Sequence, residues 1–359
     1  LWHGLIIGTI LAFLTIFFTH FYIEDILLAV GVEKVGAKMA AEFLSIRMWG
    51  LLFLYGFQMQ NAYIISLGRS KLLLYGALIA SVSNVVLDYG LIFGYLGMPK
   101  LGFNGAAYAS VISEFLGMIT VFLAIYFSKL SQQFNIVYYW AIKKKTTFLV
   151  LRQAWPLMGQ YAISTMGWWV FFIFVNRNYV EVEQGVSQAM RNLFGLSGVF
   201  TWAFGSATNT IISNIIGQGK SHLIKTTLIK IILISGIGIM VSIIILNIWP
   251  NIFLSFYGLG DDFMANALGP LRVVSVAMFI LGMGIIMLNA VIATGKSIVV
   301  FWIEFIGVIS YLVYIYVVIE LLKLSHTIAW TSEWVYWSVL FSLSFLYLWK
   351  GNWKKNLAF

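Results

Sequence analysis

Residues 231–248 read IILISGIGIMVSIIILNI, and this stretch decides the fold class. It runs for 18 residues without a charge, and a helix of that length extends about 27 Å, close to the hydrocarbon thickness of a bilayer. Its polar residues do not alternate with apolar ones at every second position, as the strands of a membrane barrel require. The stretch therefore predicts a transmembrane helix.

The same pattern recurs along the whole chain. The 359 residues are 61% hydrophobic and only 10% charged, which is too little polar surface to cover a soluble core of this size. We therefore predict an all-α polytopic membrane protein, with the lipid bilayer as its surroundings. Ten spans are expected, at about 1–22, 40–66, 72–95, 103–127, 147–175, 186–216, 226–248, 268–293, 297–321 and 328–349.

The charged residues between these spans predict the orientation. Segments on one side carry 14 basic residues and no acid, whereas the opposite side and its rim receive 10 of the 13 acids, Glu333 among them. The positive-inside rule makes the first side cytoplasmic, and the C-terminus with it. The net charge of +9 then requires no nucleic-acid partner. Binding of RNA to a basic patch is the disfavoured alternative, because these charges lie only in loops between spans.

Sequence signatures of catalysis are missing. The chain has no cysteine, which excludes disulfides and thiolate sites. It contains no HExxH pair, no GxSxG turn and no Walker-type phosphate loop. We predict that the protein is not an enzyme, uses no cofactor or metal, and does not draw its energy from ATP bound to this chain.

An internal repeat relates the two ends of the chain. Within residues 68–71 (GRSK) and 294–297 (TGKS), Gly68-Arg69-Ser70 resembles Gly295-Lys296-Ser297 at an offset of 227, and residues 61–64 (NAYI) resemble 289–292 (NAVI) at an offset of 228. The copies align the first four spans with the last four, so two further spans before Leu1 would complete six plus six. The two copies would then be six spans apart. Because six is an even number, both copies cross the membrane in the same direction, which predicts two parallel repeats. Chance similarity between apolar stretches is the alternative.

The repeat predicts two lobes and a linker. Twelve spans are expected in the full-length protein, and this chain would be a fragment that lacks the first two. The expected boundaries are 1–128 for an N-terminal lobe of four helices, 129–147 for a cytoplasmic linker, and 148–359 for a C-terminal lobe of six helices.

Three acids are expected at membrane depth, and Asp88 is the strongest candidate for function. It follows Lys71 by about 25 Å of helix, and Asn84 lies one turn earlier on the same face. A carboxylate in a membrane is costly unless it lines a cavity or carries a proton or ion. The pair either coordinates a monovalent cation or lets protonated Asp88 donate to the amide of Asn84. An inert acid at the outer interface is the alternative.

The other two acids leave more than one interpretation open. Glu114 either shares a cavity with Asp88, where like charges favour proton uptake, or pairs with Arg47 or Arg191 as a structural contact. Glu304, about 12 Å of helix past Lys296, either reaches toward the cytoplasmic interface or serves a function at membrane depth.

Several amides lie in otherwise apolar spans. Interhelical hydrogen bonds are their common use, and lining a substrate path is the functional alternative. The substrate-path candidates are Gln58, Asn61, Gln160, Gln188 and Asn192.

The chain also resembles the multidrug and toxic compound extrusion (MATE) family. One matching segment contains Gly68–Lys71, Asn84–Asp88 and Gly94–Ser110. A second comprises Gln188–Asn192 and Asn214–Lys220. The resemblance implies a monomeric, two-lobed antiporter of a bacterial plasma membrane, which exports amphipathic or cationic compounds in exchange for H⁺ or Na⁺.

The resemblance also implies which residues bind the coupling ion. Asn84 and Asp88 match the ion site of the N-terminal lobe, with Ser110 as a weaker match. Glu114 is a further candidate because of its depth in the span, independently of the resemblance. Where some members carry acids in the C-terminal lobe, this chain has Ser164 and Met283. A lipid-linked oligosaccharide flippase of the same superfamily and a non-transporting scaffold or receptor are the alternative functions.

Overall fold

The computed structural model describes residues 2–29, 31–69, 71–128, 143–257 and 260–350, and within them all regular structure is helical. The helices in chain order are α1 (Trp2–Ala29), α2 (Lys34–Arg47), α3 (Gly50–Ser66), α4 (Lys71–Phe93), α5 (Phe103–Phe127), α6 (Lys144–Asn178), α7 (Glu181–Gly217), α8 (Ile224–Ile248), α9 (Pro250–Leu254), α10 (Asp261–Ile292), α11 (Ser297–Ile315), α12 (His326–Ala329) and α13 (Ser332–Lys350). A π-helical turn (Tyr316–Leu321) extends α11. The prediction of an all-α membrane protein is confirmed.

Each predicted span falls on a helix, although not all of these helices are equally apolar. Within the described residues, seven helices are long and apolar enough to cross a membrane, or eight if α2 and α3, which meet at 44°, form one broken span. The two predicted spans outside this set correspond to α7 and α13. Many Ser, Thr, Asn and Gly residues lower the hydropathy of α7, while α13 carries Ser, Glu and aromatic residues.

The two copies of the repeat end their helices in the same way. Gly68 follows α3 and Gly295 follows α10, both with a positive φ, 69° and 73°. Glycine adopts this left-handed conformation without a steric penalty, so it terminates a helix and lets the last carbonyls accept hydrogen bonds. After α3, for example, the N–H of Arg69 donates to the carbonyl of Ile64 over 3.1 Å. The repeated sequence therefore corresponds to a repeated local structure.

The chain divides into two compact units, Leu1–Val150 and Leu151–Phe359, which are called unit 1 and unit 2 below. Most of the predicted linker, residues 129–142, lies outside the described residues. Helix α6 begins at Lys144, within the last part of that predicted linker. The predicted lobe boundaries remain a prediction.

Unit 1 is organised around the antiparallel pair α4 and α5. A side chain at Gly76 would overlap Val121, and one at Gly105 would meet the backbone of Leu91. These two contacts fix the antiparallel register of the pair: residue numbers increase along α4 as they decrease along the adjacent part of α5. Small residues permit this close approach of the two backbones. In a membrane the hydrophobic effect does not drive helices together, so close van der Waals packing stabilises the pair instead.

Unit 2 is built around α10. Two thirds of its apolar window is buried (67%), and it packs against α7, α8 and α13. Residues such as Ala277, Met278 and Ile286 have almost no exposed surface. Helix α13 also packs against α11, and polar side chains of α6 reach both of them.

Candidate functional site

Asp88 lies near the end of α4 and is half-buried. One of its carboxylate oxygens, Oδ1, is buried and has no hydrogen-bond partner within the described residues. Asn84 lies one helical turn earlier and is also half-buried. A buried carboxylate oxygen without a donor is costly, and a bound proton or cation would remove that cost.

The register of α4 and α5 gives the relative depths of the predicted ion-site residues. Because Leu91 lies against Gly105 and Gly76 against Val121, Asp88 is level with Ser110, and Asn84 is level with Glu114. Ser110 is half-buried and lies two turns before Gly117, which packs on α4. The structure thus brings the predicted ion-site residues to neighbouring levels of one helix pair.

Glu114 forms an ion pair with Arg47. The guanidinium donates two hydrogen bonds, 2.6 Å from Nη2 to Oε1 and 3.0 Å from Nη1 to Oε2. Both side chains are partly buried, at 28% and 19% exposure. Gly50 leaves the room for this pair, since a side chain there would overlap both groups. Of the interpretations left open by the sequence, the geometry therefore favours the contact with Arg47.

Arg191, the other partner considered for Glu114, has a different environment. Its guanidinium lies over the rings of Phe172 and Trp168, 5.3 and 5.9 Å from their centroids. The adjacent substrate-path candidates Gln188 and Asn192 are exposed on α7. Helix α7 therefore carries the two amide side chains beside the guanidinium of Arg191, which stacks on aromatic rings.

The remaining substrate-path candidates make hydrogen bonds. On α3, the amide of Asn61 donates to Gln58 over 3.1 Å, and Asn61 Oδ1 is buried with no hydrogen-bond partner in the described part of the chain. On α6, Gln160 is buried and donates to Glu304 over 3.1 Å. Gln160 thus makes the interhelical bond that is common for such amides, while Asn61 retains a free acceptor.

Glu304 is the centre of a polar network that the sequence did not predict. It is 1% exposed, so the interpretation that it reaches the cytoplasmic interface is wrong. Tyr336 of α13 donates to its Oε1, Gln160 of α6 donates to its Oε2, and Ser164 lies 3.1 Å from the Tyr336 hydroxyl. The position of Glu304 along its helix predicted how deep it lies in the span, but it did not predict which other helices cover its side chain.

A second buried acid, Glu333, lies one turn before Tyr336 and was assigned to the outer rim by the sequence analysis. It is 2% exposed and accepts a hydrogen bond of 3.1 Å from Trp337 Nε1. The Tyr311 hydroxyl is buried beside it without a hydrogen bond of normal geometry. A cavity of about 10 Å³ separates these groups, lined by Ser164, Gly167, Trp168, Val308, Tyr311, Glu333 and Tyr336. The sequence did contain one indication of this cluster: the spacing of Glu333, Tyr336 and Trp337 places all three side chains on one face of a helix.

His326 occupies a third polar cluster, in the segment before α13. Its Nε2 lies 2.5 Å from Ser187 Oγ and accepts a hydrogen bond from Trp330 Nε1 over 3.2 Å. Burial lowers the pKa of His326 to about 4. Next to it, burial and then the charge of Glu183 raise the pKa of Tyr179 to about 12, and its hydroxyl donates to the Leu324 carbonyl. Both groups are therefore neutral at pH 7.

Comparison with a protein-family model supplies the identity. The MatE family model matches residues 1–90 and 156–317, which is more than half of the chain and includes Asp88, Gln160 and Glu304. The chain belongs to the MATE family.

Solved structures of this family share the MATE fold. The chain superposes on "Crystal structure of MATE in complex with MaL6" with a TM-score of 0.85 and 14% identity, covering 96% of this chain and 77% of that one. The eukaryotic MATE transporter AtDTX14 gives a TM-score of 0.80 and 17% identity, covering 99% and 79%. At these identities the likeness concerns the fold alone.

A curated MATE relative is similar over a shorter range. The probable multidrug resistance protein NorM of Bacillus cereus is 33% identical over 125 residues, which is 35% of this chain and 28% of the relative. The match thus spans under a third of that protein.

In this MATE chain, the two positions that lack the acids of some family members have different surroundings. Ser164 belongs to the Glu304 network through Tyr336. Met283 lines an apolar groove between α8 and α10, together with Ile239 and Phe279. The two buried acids of unit 2, Glu304 and Glu333, lie on α11 and α13 instead.

Proposed function

We propose that this MATE chain is the principal part of a secondary antiporter that exports amphipathic or cationic small molecules in exchange for H⁺ or Na⁺. The observation that carries the proposal is the buried Oδ1 of Asp88, which lacks a partner within the described residues. An uncompensated carboxylate inside a membrane protein marks an ion or proton pathway by default.

Asn84 and Ser110 complete the proposed ion site. The amide oxygen of Asn84 and the hydroxyl of Ser110 are neutral ligands, so together with Asp88 they suit a monovalent cation or a single proton. Occupation of the site would remove the cost of the bare carboxylate, and release would restore it. This difference in free energy is what an ion gradient needs in order to bias one conformation over another.

The substrate class follows from the similarity to proteins named as multidrug resistance proteins and from the surface of α7. Gln188 and Asn192 are exposed there, and the aromatic rings of Trp168 and Phe172 lie under Arg191. Rings of this kind stack on amphipathic and cationic ligands. We further propose a bacterial inner-membrane location, a cytoplasmic C-terminus and a monomeric transporter.

The test is dye transport by the intact protein in inverted vesicles, under an imposed sodium or pH gradient. Asp88→Asn should abolish gradient-driven transport while leaving folding intact, because it removes the charge and keeps the shape. The gradient that drives transport in the wild type identifies the ion.

A matched control replaces an acid of unit 1 that is exposed. Glu24→Gln on α1 should leave transport unchanged. Undiminished transport in Asp88→Asn would remove this residue from the mechanism. Absence of gradient-driven transport in the wild type would contradict the antiporter proposal itself.

A further inference from the structure

Two acids of unit 2 are almost completely removed from solvent and lack an ion-pair partner. Glu304 is 1% exposed and Glu333 is 2% exposed. Within the described residues, the ion pairs are Arg47 with Glu114 and Arg177 with Glu320, so neither buried acid has a cation within 4.0 Å. A buried ionised carboxylate without a counter-charge is strongly disfavoured, and such groups take up a proton or bind a cation instead.

The hydrogen bonds around Glu304 are compatible with both of its protonation states. As a carboxylate, Glu304 accepts from Gln160 and from Tyr336, whose oxygen then accepts from Ser164. As a carboxylic acid, Glu304 donates to the Tyr336 oxygen, and the tyrosine hydroxyl turns to donate to Ser164. Hydroxyl groups reverse donor and acceptor roles by rotation alone, so both oxygens of Glu304 stay hydrogen-bonded whether or not the carboxyl carries a proton.

Tyr336 and Tyr311 connect the two acids. Tyr336 follows Glu333 by three residues and therefore lies on the same face of α13. Its ring centroid is 5.7 Å from that of Tyr311, and the Tyr311 hydroxyl is buried beside Glu333. These two tyrosines are the titratable groups that face the carboxyls from α11 and α13, while α6 contributes the neutral Gln160 and Ser164.

The space available favours a proton over a metal ion. The cavity between the groups measures about 10 Å³, and a cavity needs roughly 10–15 Å³ to hold a single water molecule. Within the described residues, no group of three or more His, Asp or Glu side chains is placed to bind a metal ion. A proton needs no extra volume and binds directly to a carboxylate oxygen.

We propose that Glu304 and Glu333, connected by Tyr336 and Tyr311, form a second proton-binding site of the transporter, inside unit 2. A proton taken from water forms an O–H bond with one carboxylate and converts it into a neutral carboxylic acid, and the reverse step returns the proton to water. This proposal goes beyond the proposed function, which places ion coupling at Asp88 and its neighbours in unit 1. Its chemistry does not depend on Asp88.

Infrared difference spectroscopy of the purified intact protein tests the proposal without a transport assay. Lowering the pH from alkaline to acidic values should produce the carbonyl absorption of a buried carboxylic acid, which is resolved from the carboxylate bands. We expect Glu304→Gln and Glu333→Gln each to remove part of this absorption, and the double variant to remove both parts. Tyr336→Phe should shift the frequency of the Glu304 part, because the frequency reports the strength of the lost hydrogen bond.

Two controls separate this proposal from its alternatives. Glu114→Gln should leave the absorption unchanged, because that acid is paired with Arg47. Asp88→Asn should also leave the Glu304 and Glu333 parts in place, so failure of the proposed function would not be mistaken for failure of this one.

The outcomes are then distinct. An absorption unaffected by Glu304→Gln and Glu333→Gln overturns the proposal. Loss of the absorption on addition of Na⁺ at constant pH, with no loss on addition of K⁺, would assign the site to sodium and would also overturn it. Since Tyr336→Phe keeps both carboxyls, its frequency shift remains informative if a glutamine variant fails to fold.

Discussion

Glu114 in unit 1 and Glu304 in unit 2 are acids in helix packing interfaces, but their charges are compensated in different ways. Glu114 receives two hydrogen bonds from the guanidinium of Arg47, whereas Glu304 receives its hydrogen bonds from the neutral groups of Gln160 and Tyr336. Arginine keeps its charge at all accessible pH values, so Glu114 has a permanent counter-charge beside it. The neutral donors impose no such charge on Glu304. The comparison separates a fixed structural ion pair from a carboxyl that is free to exchange a proton.

Among the substitutions, the largest expected loss of stability comes from removing the fixed charge in unit 1. Arg47→Met leaves Glu114 partly buried without a counter-ion, and breaking such a pair costs up to 3–5 kcal/mol, so we expect about 2–3 kcal/mol for this partly exposed pair. Thermal unfolding of the purified protein measures the loss. The double variant Arg47→Met with Glu114→Leu should recover most of it. Equal losses of stability in the single and double variants would show that the loss does not come from leaving Glu114 without its counter-ion.

In unit 2, protonation of His326 is expected to destabilise the folded protein at acidic pH. This effect must be distinguished from that of the Glu304 network. The folded pKa of His326, about 4, lies below the ordinary value of 6.5, so the unfolded chain binds more protons between these values. The stability is therefore complete above pH 6.5 and declines as the pH falls toward 4. The loss is on the order of 3 kcal/mol.

Melting temperatures recorded between pH 7 and 4 check this pH dependence. His326→Gln should flatten the profile, because it removes the titrating group and retains a side-chain donor and acceptor. A wild-type profile that remains after His326→Gln would shift the acid sensitivity to another group.

Two glycines test how the two acids are packed. A methyl group at Gly50 would overlap the charged atoms of Glu114 and Arg47, whereas one at Gly307 would overlap the end of the Leu340 side chain. Forcing atoms into a packed site costs about 1–3 kcal/mol, and a flexible leucine end relieves this strain more easily than a bidentate ion pair does. Gly50→Ala should therefore lower the melting temperature more than Gly307→Ala. The opposite order would show that the ion pair adjusts freely.

The smallest stability change is expected for Glu304→Gln. Its amide oxygen still accepts from Gln160 or Tyr336, so we expect a change within about 1 kcal/mol. Glu114→Gln, in contrast, leaves Arg47 without its carboxylate and should cost more, about 2 kcal/mol. Thermal unfolding of the two variants side by side gives the comparison. Equal losses would remove the distinction between the fixed and the exchangeable acid.

Much of unit 1 was predictable from the sequence, because its polar residues follow helical spacing. Asn84 and Asp88 lie four positions apart, and the structure places both of them on α4, half-buried, with an unpaired oxygen on Asp88. Ser110 and Glu114 share α5 in the same way. Arg47 appeared among the possible partners of Glu114, but spacing alone did not choose it over Arg191. That choice depends on the contact between α2 and α5.

The network of unit 2 was less accessible to sequence reasoning. Glu333 was expected at the outer rim, and an interface was one of the two positions open for Glu304, yet both acids are buried. Their partners are distant in the chain, since Gln160 and Glu304 are separated by 144 residues. Hydropathy along the chain reports the depth of a residue in the membrane but not the neighbour toward which its side chain points.

The sequence by itself determined the class of this protein. Long uncharged stretches require helices across a bilayer, because backbone groups in lipid must be hydrogen-bonded within their own segment. The glycines that end helices, Gly68 and Gly295, were also recognisable in the sequence, because a left-handed helix end depends on local backbone geometry. Only the tertiary structure decided which acid has a counter-charge and which does not. That difference depends on a few ångströms between side chains of different helices, and Coulomb and desolvation energies change steeply over such distances.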